Sequence, residues 1–125
     1  MQLEALRAID STDAPSLAPD DRPIDLVHLA RTTLGDRVLE REVLQLFDRQ
    51  STLLIARMRA AAPGGTVALA HTMKGSARGI GAWRVARAAE AVELAEGAEA
   101  APALEALAAA TDEARALIAD LLKAN

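Results

Sequence analysis

Cysteine and tyrosine are absent from the 125 residues, and tryptophan and phenylalanine occur once each. The lack of cysteine excludes disulfides, thiolate metal sites and thiol nucleophiles, and it suits a reducing compartment. An aromatic share of 2% leaves no stacking platform for single-stranded nucleic acid. A formal charge of -4 gives no general attraction to a phosphate backbone, so nucleic acid is not an expected partner. No run of about 18 apolar residues occurs, which argues against a membrane-spanning helix. The start, MQLEALRAID, carries Glu4 and lacks the basic and apolar regions of a signal peptide, so a cytoplasmic protein without membrane attachment is expected. What is abundant is alanine, within an apolar share of 51%. Much alanine with few aromatics favours packed helices over a β-sandwich, and the length suits one domain.

The punctuation divides the chain into five main helices. Residues 1–22 read as a lead-in: Leu3, Leu6 and Ile9 have helical spacing, and the proline-rich STDAPSLAPDDRP follows. A domain is expected over residues 23–125. Its first short helix runs from Asp25 to about Leu34, with Leu26, Leu29 and Ala30 as the buried stripe, and Gly35 ends it. Asp36 caps a long helix reaching about Ala62. There Leu39, Val43, Leu46, Phe47, Leu54, Met58 and Ala61 recur at three and four, apart from one seven-residue step after Phe47. Pro63, Gly64 and Gly65 stop it, and Thr66 is the candidate cap of a third helix ending near Gly79 or Gly81. A fourth spans about Ala82 to Glu96 and closes at Gly97. Pro102 opens the last, where Leu104, Leu107, Leu117, Ile118, Leu121 and Leu122 face the core. Short loops between long helices make neighbours antiparallel. The expected fold is therefore all-α: an antiparallel up-down-up-down four-helix bundle with an additional short N-terminal helix packed on one end.

One stretch, HTMKGSARGIGA, asks for a chemical reading. At about 100° per residue, Leu69, Met73, Ser76 and Ile80 share one face of the third helix, and His71 falls on the opposite face flanked by Lys74, Gly75 and Arg78. Gly79 and Gly81 read as helix terminators. Gly75 is different, because a glycine inside a helix costs about 0.5–1 kcal/mol relative to alanine. Placed one turn after His71, it removes a side chain that would crowd the imidazole. Residues 66–89 carry Lys74, Arg78, Arg84 and Arg87 with no Asp or Glu, a candidate anion site in an acidic protein. The other histidine, His28, reads as a surface or helix-packing residue.

The series Ala70-His71-x-Met73-Lys74-Gly75-Ser76, then Ile80-Gly81-Ala82, Val85 and Val92-Glu93, resembles the signature of histidine-containing phosphotransfer (Hpt) domains of bacterial two-component phosphorelays. The upstream IDLVHLARTTLGDRVLEREVLQLFDRQSTLLIARM is similar to that family's first two helices, so the likeness covers about residues 24–123. Met73 and Ile80 stand where leucines are common, a volume-conserving exchange.

The resemblance implies that His71 accepts a phosphoryl group from an aspartyl phosphate of a response-regulator receiver domain and passes it to another. Lys74 would stabilise the phosphoryl oxygens and Gly75 would give access; Arg78 stands outside the core motif and is a separate candidate for an added phosphate or docking contact. Ser76 would be a local hydrogen-bonding residue, and Glu93 would accept the Nδ1 proton so that Nε2 is left free. The implied protein is a monomeric phosphocarrier rather than an enzyme, with a hybrid histidine kinase as a further candidate partner. It would need no metal or cofactor of its own, Mg²⁺ belonging to the receiver. The residues leave open a helical adaptor that binds receivers without carrying phosphate, a kinase dimerisation helix pair, and a metal or haem bundle using His71 and His28.

Overall fold

The structure, a computed structural model, describes residues 22–62 and 64–124. The lead-in helix read from Leu3, Leu6 and Ile9 lies outside the described residues. The described residues form five α-helices: α1 (Leu26–Thr32), α2 (Arg37–Ala60), α3 (Thr66–Ile80), α4 (Trp83–Leu94) and α5 (Ala100–Lys123), with a 3₁₀ turn at Gly97–Glu99 before the last. No strand occurs among the described residues. No helix among them is long and apolar enough to cross a membrane.

The helix starts follow local hydrogen-bond chemistry. Asp25 Oδ1 accepts from His28 N at 3.1 Å and Asp36 Oδ1 from Leu39 N at 3.0 Å, so each aspartate satisfies an otherwise unpaired amide of the first turn. Thr66 does not act as a cap. It is the first helical residue, preceded by Gly65, and no side chain caps that end. Of the two glycines read as terminators of α3, only Gly81 ends it, with φ of +81°. Gly79 is helical and exposed.

The core differs in register from the expected stripes. On α1 the buried residue is Leu29, helped by Ile24 before the helix and Thr33 after it, whereas Leu26 and Ala30 are exposed. On α2 the buried set is Leu44, Phe47, Ser51, Leu54, Ile55 and Met58, and Leu39 and Leu46 lie outside it. Ser51 fills the seven-residue step. It is fully buried, and its hydroxyl donates to the Asp48 carbonyl oxygen at 3.2 Å, which removes the penalty of a bare buried hydroxyl. From α5 come Leu107, Ala108, Thr111, Ala114 and Ile118, with Leu104, Leu117, Leu121 and Leu122 packed at the margin.

Helix α2 packs on α3 and α5, and α4 packs on α3 and α5. The α2–α5 seam is pinned by Arg59–Glu105 at 3.0 Å, Arg115–Asp48 at 2.6 Å and Arg41 Nη1 donating to Leu122 O at 3.1 Å. As residue numbers fall along α2 they rise along α5, so these two helices run in opposite directions.

Helix α1 seats at the junction of α3 and α4. Asp25 N donates to Gly81 O at 2.9 Å, Trp83 Nε1 donates to Asp25 Oδ2 at 3.0 Å, and the His28 ring meets Trp83 edge-on at 4.8 Å between centroids. The Trp83 indole, followed by the His28 amide, holds the Asp25 carboxyl below the usual carboxylate range. A Cβ at Gly81 would stand 2.9 Å from Asp25 O, and the left-handed backbone there disfavours any L side chain. Gly81→Ala is therefore expected to lower unfolding free energy by about 2–4 kcal/mol. Urea denaturation checks it, and an unchanged midpoint would contradict this account of the junction.

Candidate functional site

The face of α3 that turns inward is Ala70, Met73, Ala77 and Ile80. Two of these are alanines, so the buried stripe is centred between them and Met73, rotated away from Leu69 and Ser76. This rotation leaves His71 outside, with its side chain 72% exposed. It also brings Lys74 to the edge of the core, where its side chain is only 13% exposed. Lys74 therefore does not stand free on the outer face beside His71, as the wheel had placed it.

Glu93, on α4, joins the two. Its Oε2 lies 2.9 Å from His71 Nδ1 and its Oε1 lies 2.7 Å from Lys74 Nζ, while its side chain is 15% exposed. The Lys74 ammonium first, and the His71 ring second, hold the Glu93 carboxyl below the usual carboxylate range against the opposing effect of burial. An ionised carboxylate only accepts hydrogen bonds. The neutral His71 ring consequently carries its proton on Nδ1, and Nε2 presents a lone pair to solvent.

The remaining expected residues separate into neighbours and outliers. Gly75 is exposed, and nothing lies within 4 Å of where its Cβ would be. No packing requirement explains that glycine. Ser76 is at the α2 margin rather than in the core, its hydroxyl donating to Gln50 Oε1 at 3.3 Å. Arg78 is exposed and forms no ion pair among the described residues. Arg84 pairs with Glu113 at 3.4 Å. The candidate anion site of four cations is thus reduced in the structure, because Lys74 and Arg84 each already face a carboxylate.

Sequence reasoning missed that one carboxylate serves both His71 and Lys74, and it missed the Gln50–Ser76 tie. Nothing in the local pattern marks Gln50. Among the described residues no group of three His, Cys, Asp or Glu is placed to hold a metal ion. What the arrangement offers is a solvent-facing nitrogen nucleophile, oriented by a carboxylate on the next helix and cleared on one side by a glycine.

Residues 38–121 match the family model described as the Hpt domain. This chain belongs to the Hpt domain family. The matched span begins within α2 and ends within α5, so it contains His71, Lys74, Gly75 and Glu93 and leaves α1 outside. Hpt domains are phosphocarrier modules of two-component signalling without kinase activity of their own, and they interact with receiver domains and kinases. No curated protein and no solved structure matches the chain.

Glu93 gives the Hpt domain a pH signature. A carboxyl whose folded-state pKa is depressed stabilises the fold above its unfolded pKa, about 4.3, and that contribution is lost as pH falls through the lower folded value. The stability advantage of wild type over Glu93→Gln should be greater near neutral pH than in acid, shrinking as pH falls below the unfolded carboxyl's value and through the lower folded one. Denaturant titrations across this range check it. A difference independent of pH would show that Glu93 is not held ionised by Lys74 and His71.

Proposed function

We propose that this protein is a phosphorelay intermediate that carries a phosphoryl group on His71 Nε2, taken from the aspartyl phosphate of one receiver domain and passed to the aspartate of another. The observation that carries this reading is the His71–Glu93 hydrogen bond of 2.9 Å on a ring whose side chain is 72% exposed. It leaves Nε2 unprotonated and outward. The lone pair of Nε2 forms the new N–P bond while the P–O bond to the aspartyl carboxylate breaks, and the carboxylate leaves with that electron pair. The ring gains positive charge in the same step. Glu93, already against Nδ1–H, is the group that stabilises it.

Lys74 is held by the other oxygen of Glu93. Phosphoryl oxygens arriving at Nε2 would offer its ammonium a further anionic contact. Gly75 lets the receiver approach, Ser76 with Gln50 ties α3 to α2 beneath the docking face, and Arg78 supplies an exposed cation. The four longer helices form the up-down-up-down bundle that holds these groups, a reading supported by the opposed α2 and α5 and by the short connections between consecutive helices. The carrier acts as a monomer and needs no metal of its own, since Mg²⁺ and the acidic pocket come with the receiver.

The test is to mix the purified chain with receiver domains charged from a small phosphodonor. Base-stable, acid-labile phosphate should appear on this chain as it leaves at least one receiver. Receivers that all keep or hydrolyse their phosphate, with none appearing here, would contradict the reading.

A further inference from the structure

A phosphoryl group brings about 1.5 to 2 negative charges at neutral pH, and on His71 it would arrive where the charges are already matched. Glu93 is held ionised against Nδ1, and Lys74 Nζ, 2.7 Å from its other oxygen, neutralises that carboxylate. Lys74 is also turned away from solvent, its side chain only 13% exposed. One turn before Glu93 on α4 stands Glu90, which is exposed, so the flank of α4 beside His71 adds a second acid. The cations of α3 are Lys74 and Arg78. Arg78 is exposed and forms no ion pair among the described residues.

Arg78 follows His71 by seven residues. That is about 10.5 Å along the axis and only about 20° around it, so the two side chains leave α3 in nearly one line. Helical side chains lean toward the N-terminus, which sends Arg78 back toward His71. The His71 ring is drawn the opposite way, because the carboxylate that holds its Nδ1 also holds Lys74, one turn nearer to Arg78. The helix surface between them is bare. Gly75 has nothing within 4 Å of where a Cβ would stand, the same is true of Gly79 beside Arg78, and Lys74 is bent onto Glu93.

We propose that Arg78 is the counter-cation of the phosphoryl group: its guanidinium reaches back across the gap left by Gly75 and donates to the phosphoryl oxygens on His71 Nε2, while Lys74 stays with Glu93. This rests on the phosphotransfer reading above, and it assigns Arg78 to phosphate rather than to docking. A guanidinium offers its N–H groups as a fork that fits two phosphoryl oxygens at once, on a long side chain able to cover the distance. Drawing Lys74 over instead would leave the Glu93 carboxylate without its ammonium as a second anion arrives beside it. Gly75 thereby gains a role besides receiver approach, because any side chain there would stand in the path of Arg78.

The experiment charges the full chain from a phosphorylated receiver, removes the receiver, and titrates the phosphoryl group by phosphorus-31 NMR. Wild type is compared with Arg78→Gln, Arg78→Lys, Gly75→Leu, the double variant Gly75→Leu/Arg78→Gln and the control Arg57→Gln, each first checked for wild-type helicity by circular dichroism. A cation against the phosphoryl oxygens favours their fully ionised form, so the midpoint in Arg78→Gln should lie above wild type by about half a pH unit or more. Gly75→Leu should rise as far, although no receiver is present to be obstructed. The double variant should rise no further than either single one, since both break one contact. Arg78→Lys should keep part of the effect, and Arg57→Gln should match wild type. With receiver restored, Arg78→Gln should lower the rate at saturating receiver roughly tenfold, with the half-saturating concentration within about twofold of wild type. A wild-type midpoint in Arg78→Gln would overturn the proposal while leaving the carrier role of His71 standing. So would a raised half-saturating concentration with an unchanged saturated rate, which would make Arg78 a docking residue. A wild-type midpoint in Gly75→Leu would overturn the path across Gly75. Wild-type protein that takes no phosphate from any receiver would remove the phosphotransfer reading itself, and this assignment with it.

Discussion

His71→Gln removes phosphate acceptance, taking transfer from a charged receiver below detection. Glutamine can place an amide N–H toward Glu93, but it has no basic nitrogen lone pair with which to form an N–P bond. The fold should not notice the change. The side chain is 72% exposed and its one polar contact among the described residues is to Glu93, which keeps its 2.7 Å pairing with Lys74. Stability is therefore expected within about 0.5 kcal/mol of wild type, the range of ordinary surface substitutions. Loss of labelling with an unchanged denaturation curve isolates the chemistry from the scaffold. Undiminished acid-labile label on the variant would mean that the phosphoryl group is carried elsewhere.

Gly75→Gln is expected to move stability and function in opposite directions. The added Cβ meets nothing within 4 Å, so the variant exchanges a poor helix former for a good one and should gain about 0.5–1 kcal/mol. The side chain would rise from the turn next to His71, in the path of a receiver. In-line phosphoryl transfer depends on close positioning, and a displacement of about 1 Å can lower a rate roughly 10²-fold. A loss of that order is expected, with Gly75→Ala intermediate in rate. Stopped-flow or quenched transfer assays beside thermal denaturation decide the matter. A wild-type rate in the glutamine variant would show that the receiver does not need this space.

Much of this scaffold could be read from residue types whose preferences are strong. Asp25 and Asp36 announce helix starts because a short carboxylate can reach a first-turn amide, and Gly81 announces a stop because its backbone turns left-handed. The failures arise where preferences are weak. Alanine is at ease inside or outside, so the wheel of α3 centred itself on Leu69, Met73, Ser76 and Ile80. The burial of Ala70 and Ala77 rotates the true stripe and carries Lys74 to the core margin. On α2 two apolar rows overlap. Spacing at three and four fits a set containing Leu39 and Leu46 as well as the buried set containing Leu44 and Ile55, and the polar Ser51 hid the turn that joins the latter. Tertiary packing chose between them, burying the second set and leaving Leu39 and Leu46 exposed. At the site, the resemblance named Glu93 as a partner of the His71 Nδ1 proton. That the same carboxylate also holds Lys74 depends on two helices meeting, which no local pattern records.

The most direct test of the central claim is to charge the full chain from a phosphorylated receiver and locate the phosphoryl group by nitrogen-15 and phosphorus-31 NMR. The account predicts one phosphorylated position, Nε2 of His71, with the Nδ1 proton retained toward Glu93. A phosphoryl group on Nδ1 or on any other side chain, or none on this protein after the receiver has discharged, would contradict it.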